Sequence, residues 1–159
     1  MARTFGSWLS GPPPSETGDQ TQGPNDHPGE RLGLPATGPQ SQARMGRRVG
    51  ALMVDWLIGY GLAALGMTLG IVSMATLSTA VLIVWFVLGV ASVRLFGFTP
   101  GQLVFGLMVV PVDGRQHVGT GRAVVRGLLI ALVIPALFTD SDLRGLQDRA
   151  TATAVVRAR

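Results

Sequence analysis

Beyond Arg44, Arg47 and Arg48 the chain runs for 45 residues, Val49 through Val93, with a single charged side chain, Asp55. A helix needs about 20 predominantly apolar residues to cross the hydrocarbon core of a bilayer, so this stretch is long enough for two crossings. A chain with such a stretch is expected to be a membrane protein. Its most informative residue is then the lone carboxylate.

Asp55 falls in a pattern. At helical spacing, Arg48, Ala51, Asp55, Gly59, Ala63, Gly66 and Gly70 share an arc of about 120°, while Leu52, Met53, Trp56, Leu57, Tyr60 and Leu65 lie on the other side. Small residues let a second helix approach closely, and packing drives association within lipid. Ala51, Gly59, Ala63, Gly66 and Gly70 are therefore expected to form a helix-packing seam into which Asp55 and Arg48 point. An aspartate placed centrally in a span costs about 2.5–3.5 kcal/mol on insertion scales, so it pairs, protonates or lines water. Arg48 lies about 10 Å away along a straight helix, too far for direct contact. Arg126, one turn past Arg122 in a third apolar segment, is the other candidate counter-charge. Two roles stay open for Asp55: a titratable site that handles protons or cations, tuned by Arg126 or Arg48, or an internal ion pair that fixes helix packing.

Composition removes several alternatives. There is no cysteine, so disulfides, thiolate metal sites and cysteine nucleophiles are excluded. Residues 1–43 carry a net charge of −2 and the remaining 116 a net charge of +6, every basic side chain being arginine. A basic membrane domain reports topology and contact with anionic lipid, and no aromatic-interleaved basic stripe points to nucleic acid. Gly59-Tyr-Gly61-Leu-Ala-Ala64 fits a dinucleotide fingerprint only formally, because it lies inside a span without the strand that should precede it. His27 and His117 lack metal-site spacing, and no serine sits in a nucleophile elbow. No enzyme activity, catalytic residue, metal or cofactor is predicted.

Taken in order, residues 1–43 hold seven of the ten prolines and seven glycines among small polar residues. They read as a disordered tail that cannot bury enough apolar surface to offset its ordering entropy. The domain proper is residues 44–159. A first helix is predicted over about 47–71 and a second, apolar all round, over about 77–94, joined by a turn rich in Ser and Thr. Arginines at both outer flanks place those flanks in the cytoplasm by the positive-inside rule, and with them the N-terminus. Thr99-Pro100-Gly-Gln102 is a helix-start pattern, which opens an interfacial helix and turn over about 99–118. Met108 to Val112 followed by Asp113-Gly114 suggests a β-hairpin-like segment, with Pro111 confining the strand to an edge. The third membrane segment, about 122–138, holds Arg126 and Pro135 and is marginal for a crossing, so it is expected to be short or re-entrant. The C-terminal segment, 139–159, is expected on the cytoplasmic side, where Thr151 to Val156 could pair with Met108 to Val112.

Four motifs in the right order resemble the RDD family of bacterial membrane proteins. They are Arg47-Arg48-Val-Gly-Ala-Leu-Met-Val-Asp55, then Thr99-Pro-Gly-Gln-Leu-Val-Phe-Gly-Leu-Met-Val-Val110 with Asp113-Gly114, then Arg122-Ala-Val-Val-Arg126, and Leu146-Gln-Asp148-Arg149. The resemblance implies that Arg48, Asp55 and Asp148 are the residues for which the family is named, with Arg126 and Arg149 as supporting charges. Gln147 stands where many members carry histidine, which removes a titratable neighbour. The resemblance also implies a multi-pass protein of the bacterial cytoplasmic membrane.

The expected fold class is thus an all-α membrane protein: two transmembrane helices, a short or re-entrant third, a small cytoplasmic amphipathic helix, a hairpin-like segment and a disordered N-terminal tail. Its partners are expected to be the lipid bilayer and either copies of itself or another membrane protein. Two functions fit: transport or exchange of an ion or small solute through Asp55, or an accessory scaffold whose buried charges fix helix packing and whose cytoplasmic face binds a partner.

Overall fold

The computed structural model describes residues 26–132 and 144–159. The apolar stretch forms a helical hairpin of α1 (Met45–Thr68) and α2 (Leu77–Phe96), both long and apolar enough to cross a membrane. Gly70, at φ 76°, ends the first helix in the left-handed region that glycine tolerates. Ser73 and Thr76 then brace the turn: the Ser73 N–H donates to the Thr76 hydroxyl at 3.2 Å, and the two hydroxyls lie 2.9 Å apart. Around the outside of the pair, apolar side chains stand clear of the protein; Leu57 is 63% exposed and Ile71 78%. A belt of that kind is a liability in water and an ordinary solvated surface in hydrocarbon. The chain is a membrane protein.

The inner face of α1 follows the expected seam for most of its length. Its buried residues are Arg48, Ala51, Asp55, Gly59 and Ala63. Gly59 lies against Trp85 of α2, where an added Cβ would come within 3.3 Å of the Trp85 Cα. The seam ends at Ala63. Gly66 packs on Val72 of the connecting turn and Gly70 is exposed, so neither contributes to helix–helix contact. Trp56 and Trp85 meet edge to face beside the seam, their ring centroids 6.2 Å apart.

Past Gly97 the chain forms α3 (Pro100–Val104), with Thr99 as its N-cap and Pro100 in its first turn, as the Thr-Pro-Gly-Gln pattern predicts. Strand β1 (Leu107–Pro111) follows, then α4 (Thr120–Ala131), α5 (Leu146–Ala150) and β2 (Thr153–Arg157). Gly127 brings α4 onto α2, where its missing side chain leaves room for Phe86 and Val90. At 12 residues α4 rises about 18 Å, and the rest of the third apolar segment, 133–138, lies outside the described residues.

The hairpin expectation is corrected. Gly114 does turn the chain, at φ 77°, but no strand returns there. Strand β1 pairs instead with β2, antiparallel, from Leu107↔Arg157 to Pro111↔Thr153, which realises the pairing expected between the two segments. The reason is burial: Leu107 and Val109 face inward and need an apolar partner, which the buried Thr153–Val156 run supplies and the polar Arg115-Gln-His117 does not. The fold is mostly helical with a small two-stranded sheet, rather than all-α.

The tail boundary also moves. Residues 40–43 run along the other edge of β2: the Gln40 and Ala43 amides donate to the Arg157 and Val155 carbonyls at 2.8 and 2.9 Å, and Arg157 N–H donates to Ser41 at 2.9 Å. Ala43 is fully buried in the core with Ala51, Val109 and Val155. An open strand edge leaves backbone groups without partners, and this short segment satisfies them. Before it, a single turn of 3-10 helix at Glu30–Leu32 is flanked by left-handed Gly29 and Gly33, and His27 Nε2 lies 2.9 Å from the Leu34 carbonyl. The first 25 residues of the expected tail lie outside the described residues.

Candidate functional site

Among the described residues two carboxylates are buried, and each is committed to a different set of partners. Asp55, nearly three turns into α1, meets the N-terminus of α3. The Thr99 hydroxyl donates to its Oδ2 at 2.5 Å, and the Gly101 backbone N–H donates to its Oδ1 at 2.7 Å. The first amides of a helix have no acceptor within the helix, and a carboxylate is well suited to receive one. Thr99 and Gln102 complete the arrangement reciprocally: the Gln102 N–H donates to the Thr99 hydroxyl oxygen at 3.2 Å, and the Thr99 N–H to the Gln102 side-chain oxygen at 3.0 Å. Gly101 is required for the approach, because a Cβ there would collide with the Ala51 carbonyl and lie 2.9 Å from Asp55 Cγ. Every residue of Thr99-Pro-Gly-Gln102 thus has a task, and the shared task is to dock α3 on Asp55.

The arginines expected to balance Asp55 go elsewhere. Among the described residues Asp55 makes no ion pair. Arg48 Nη1 donates to Asp148 Oδ2 at 2.7 Å, and Arg126 donates to the other oxygen of the same carboxylate. The expectation of a counter-charge for Asp55 is corrected on physical grounds: a hydroxyl and a backbone amide reach it at short range from α3, leaving both guanidiniums to a fully buried carboxylate that cannot lack them. Arg149 stays exposed on α5, outside the triad.

Asp148 is wholly inaccessible to solvent, and what holds it there is the short element it belongs to. It is the third residue of α5 and also accepts the Gly145 N–H at 3.3 Å, closing the helix start. A hydroxyl relay backs the triad: Arg126 Nη1 lies 3.2 Å from Thr153 Oγ1, the Thr153 and Thr151 hydroxyls are 2.9 Å apart, and Thr151 donates to the Gln147 carbonyl at 2.6 Å. Burial is the largest single influence on the Asp148 carboxyl and favours its neutral form. The positive charges of Arg126 and Arg48 and the hydrogen bonds they donate together outweigh it, holding Asp148 below the usual carboxylate range. At the surface, Asp113 is also lowered, chiefly by the hydrogen bond from Arg122 at 2.7 Å.

The two clusters share a cavity of about 420 Å³ lined by residues of α1 to α5, with Arg48, Asp55, Gln102, Arg126 and Gln147 set among mainly apolar side chains. A second void of about 40 Å³, large enough for one water, lies between α2, α3 and α4 and touches Asp55, Thr99 and Arg126. No group of three His, Cys, Asp or Glu side chains suited to a metal comes together among the described residues.

Sequence reasoning singled out Arg48, Asp55, Arg126 and Asp148, and all four line or back this region. It missed Thr99, Gly101 and Thr153 as partners. The first two carried a usable signal: a helix start offers a hydroxyl and free amides, and the nearest unmatched acceptor in the span is Asp55. Thr153 carried none, because its role depends on where β2 packs.

A comparison with protein families matches the RDD family over residues 42–151. No curated protein and no solved structure matches the chain.

Proposed function

The chain belongs to the RDD family, and on that premise we propose that it is an accessory membrane protein, a charge-locked scaffold that presents its arginine-bearing end to another membrane protein or a second copy. The observation that carries this reading is that both buried carboxylates are spent on joining elements: Asp55 holds α3 to α1, and Asp148 holds α5 to α1 and α4. A carrier needs a site that exchanges partners, whereas breaking either of these contacts leaves buried groups uncompensated. The sheet, α3 and exposed Arg44, Arg47 and Arg94 gather at one end of the helical hairpin, where a partner is met.

Transport through Asp55 is the second reading, favoured by the cavity that Asp55 shares with Arg48 and Arg126. Reconstitution in liposomes separates the two. The scaffold reading expects no cation-driven proton flux from the wild type, and a lowered unfolding temperature for Asp55→Asn. Flux that disappears in Asp55→Asn while the unfolding temperature stays put would overturn it in favour of the carrier.

A further inference from the structure

The large cavity reaches the lipid-facing surface. Val49, Met53, Trp56 and Leu82 line it and are at the same time exposed on the outside of the helix pair. It therefore opens sideways, toward hydrocarbon. Its lining is mainly apolar and includes the paired indoles of Trp56 and Trp85, with polar side chains interspersed rather than gathered at one end. A volume of about 420 Å³ falls in the range of small-molecule sites, about 300–1,000 Å³.

The polar groups divide into spent and unspent. Arg48 is committed to Asp148 and to the Val155 carbonyl, and both Asp55 oxygens accept from the start of α3. Gln102 and Arg126 keep donors in hand. The Gln102 side chain accepts the Thr99 N–H through Oε1 at 3.0 Å, which fixes the orientation of the amide and leaves its NH2 without an acceptor among the described residues. Arg126 is 4% exposed and spends Nη1 on Asp148 and Thr153, and its Nε and Nη2 meet no acceptor there either. Both side chains border the large cavity and the small void. Donors left against acyl chains are costly in hydrocarbon, so an occupant that brings acceptors is favoured over a bare chain. Formal charge also selects. Arg48 and Arg126 are balanced by Asp55 and Asp148, and an anion placed on Arg126 would face the Asp55 carboxylate across the same cavity. The space thus suits a molecule that is uncharged, apolar over most of its surface and an acceptor of hydrogen bonds.

We propose that this cavity is a lateral binding site for a membrane-dissolved quinone, its carbonyl oxygens accepting from Arg126 and Gln102, its ring beside the two indoles and its isoprenoid tail passing out at Leu82. A quinone meets each condition at once. It carries no charge, its ketone oxygens accept and do not donate, its flat ring suits an aromatic wall, and its tail dissolves in the bilayer. A diacyl phospholipid also offers carbonyl oxygens, but a charged headgroup has to accompany them. The inference stands apart from the scaffold reading, because it uses only the donors that the joints between elements leave over.

The test is native mass spectrometry of the full-length protein in detergent, with a naphthoquinone carrying two isoprene units as the probe. The control is the naphthalene with the same tail, which lacks both carbonyls. The wild type retains the quinone roughly tenfold better than the control, the size expected from one or two hydrogen bonds to donors otherwise unpaired. Gln102→Glu keeps an oxygen for the Thr99 N–H but replaces the NH2 by an acceptor, and it lowers that preference severalfold. Leu82→Trp obstructs the lipid-facing mouth without altering a polar group and abolishes quinone retention, which covers the case in which Gln102→Glu fails to fold. Equal retention of quinone and naphthalene would reduce the site to a hydrocarbon groove and overturn the proposal. So would a preference that survives Leu82→Trp, since the quinone would then bind elsewhere. Displacement of the quinone by an equal concentration of phosphatidylcholine would assign the cavity to bilayer lipid instead, and a dimer that excludes the quinone would assign it to a second copy.

Discussion

Asp55 on α1 and Thr99 at the start of α3 are joined by a 2.5 Å hydrogen bond across 44 residues of sequence, and that bond explains how a carboxylate is tolerated inside an apolar helix. Its two oxygens are divided between a hydroxyl and a backbone amide, so the group is satisfied without a counter-ion. Thr99 also caps α3. Removing the hydroxyl therefore costs twice over, leaving Asp55 with one donor and α3 without its cap. Thr99→Val should destabilise the folded protein by about 1–3 kcal/mol, and Thr99→Ser should recover most of it. Unfolding of both variants in the same detergent, followed by fluorescence, checks the order; equal loss in Ser and Val would show that the methyl, not the hydroxyl, matters.

Gly101 sets how closely α3 can approach. A Cβ there meets the Ala51 carbonyl and the Asp55 carboxyl carbon, both anchored by α1, so the whole helix start must shift. Gly101→Ala should cost at least about 1–3 kcal/mol, the range for overpacking, plus whatever is lost from the Asp55 contacts. The control is Gly61→Ala, in the interior of α1 with nothing within 4 Å of an added Cβ. Helix propensity alone should make that variant more stable, by about 0.5–1 kcal/mol. Opposite signs for two glycine-to-alanine changes are the expected result, read as unfolding temperatures measured side by side.

Much of this arrangement is legible in the sequence, and the part that is not has a physical reason. The two spans follow from the missing charges between Val49 and Val93, and the inner face of α1 from helical periodicity as far as Ala63. Thr99-Pro-Gly-Gln announces α3, and the apolar runs at Met108 and Thr151 pair as expected. Which acceptor each arginine takes is another matter. Arg48 lies about 10 Å before Asp55 along α1, and only the folding of α5 and β2 brings it and Arg126 to Asp148, a residue that spacing alone ranks as an ordinary surface charge. Backbone donors leave no mark in a sequence at all, so nothing in the residues announces the Gly101 amide as a partner of Asp55.

The Arg48–Asp148–Arg126 triad makes a pH prediction with a definite sign. The Asp148 carboxyl is held below its usual value in the folded protein, whereas the unfolded chain titrates near about 3.9. The stabilisation from the ionised form is therefore fully present above about pH 4 and is lost as pH falls through the lower, folded value. Stability should be flat with respect to this group from neutrality down to about pH 4.5 and decline below it. Asp113, lowered by Arg122 at the surface, adds a weaker decline in the same window. Asp148→Asn should remove most of the acid limb and, by breaking two buried ion pairs at once, cost about 3–5 kcal/mol at neutral pH. An acid limb unchanged in Asp148→Asn would mean that another group governs it.

Residues 40–43 carry the last prediction: they belong to the stretch whose composition predicts a tail, and they close an edge of β2. Ala43 N–H donates to the Val155 carbonyl and Arg157 N–H to the Ser41 carbonyl, each at 2.9 Å, and Ala43 itself is fully buried beneath the sheet. These amides should exchange with solvent deuterium as slowly as those of the β1–β2 ladder, since opening them means peeling the segment from β2 and exposing its core contact. Ala43→Asp, which buries a charge against Val109 and Val155, should speed exchange at Ser41, residue 43 and Arg157 together while leaving the amides of α2 untouched. Fast exchange at Ala43 in the wild type, comparable to that of exposed Gly114, would show that this edge is open in solution and that β2 ends the sheet.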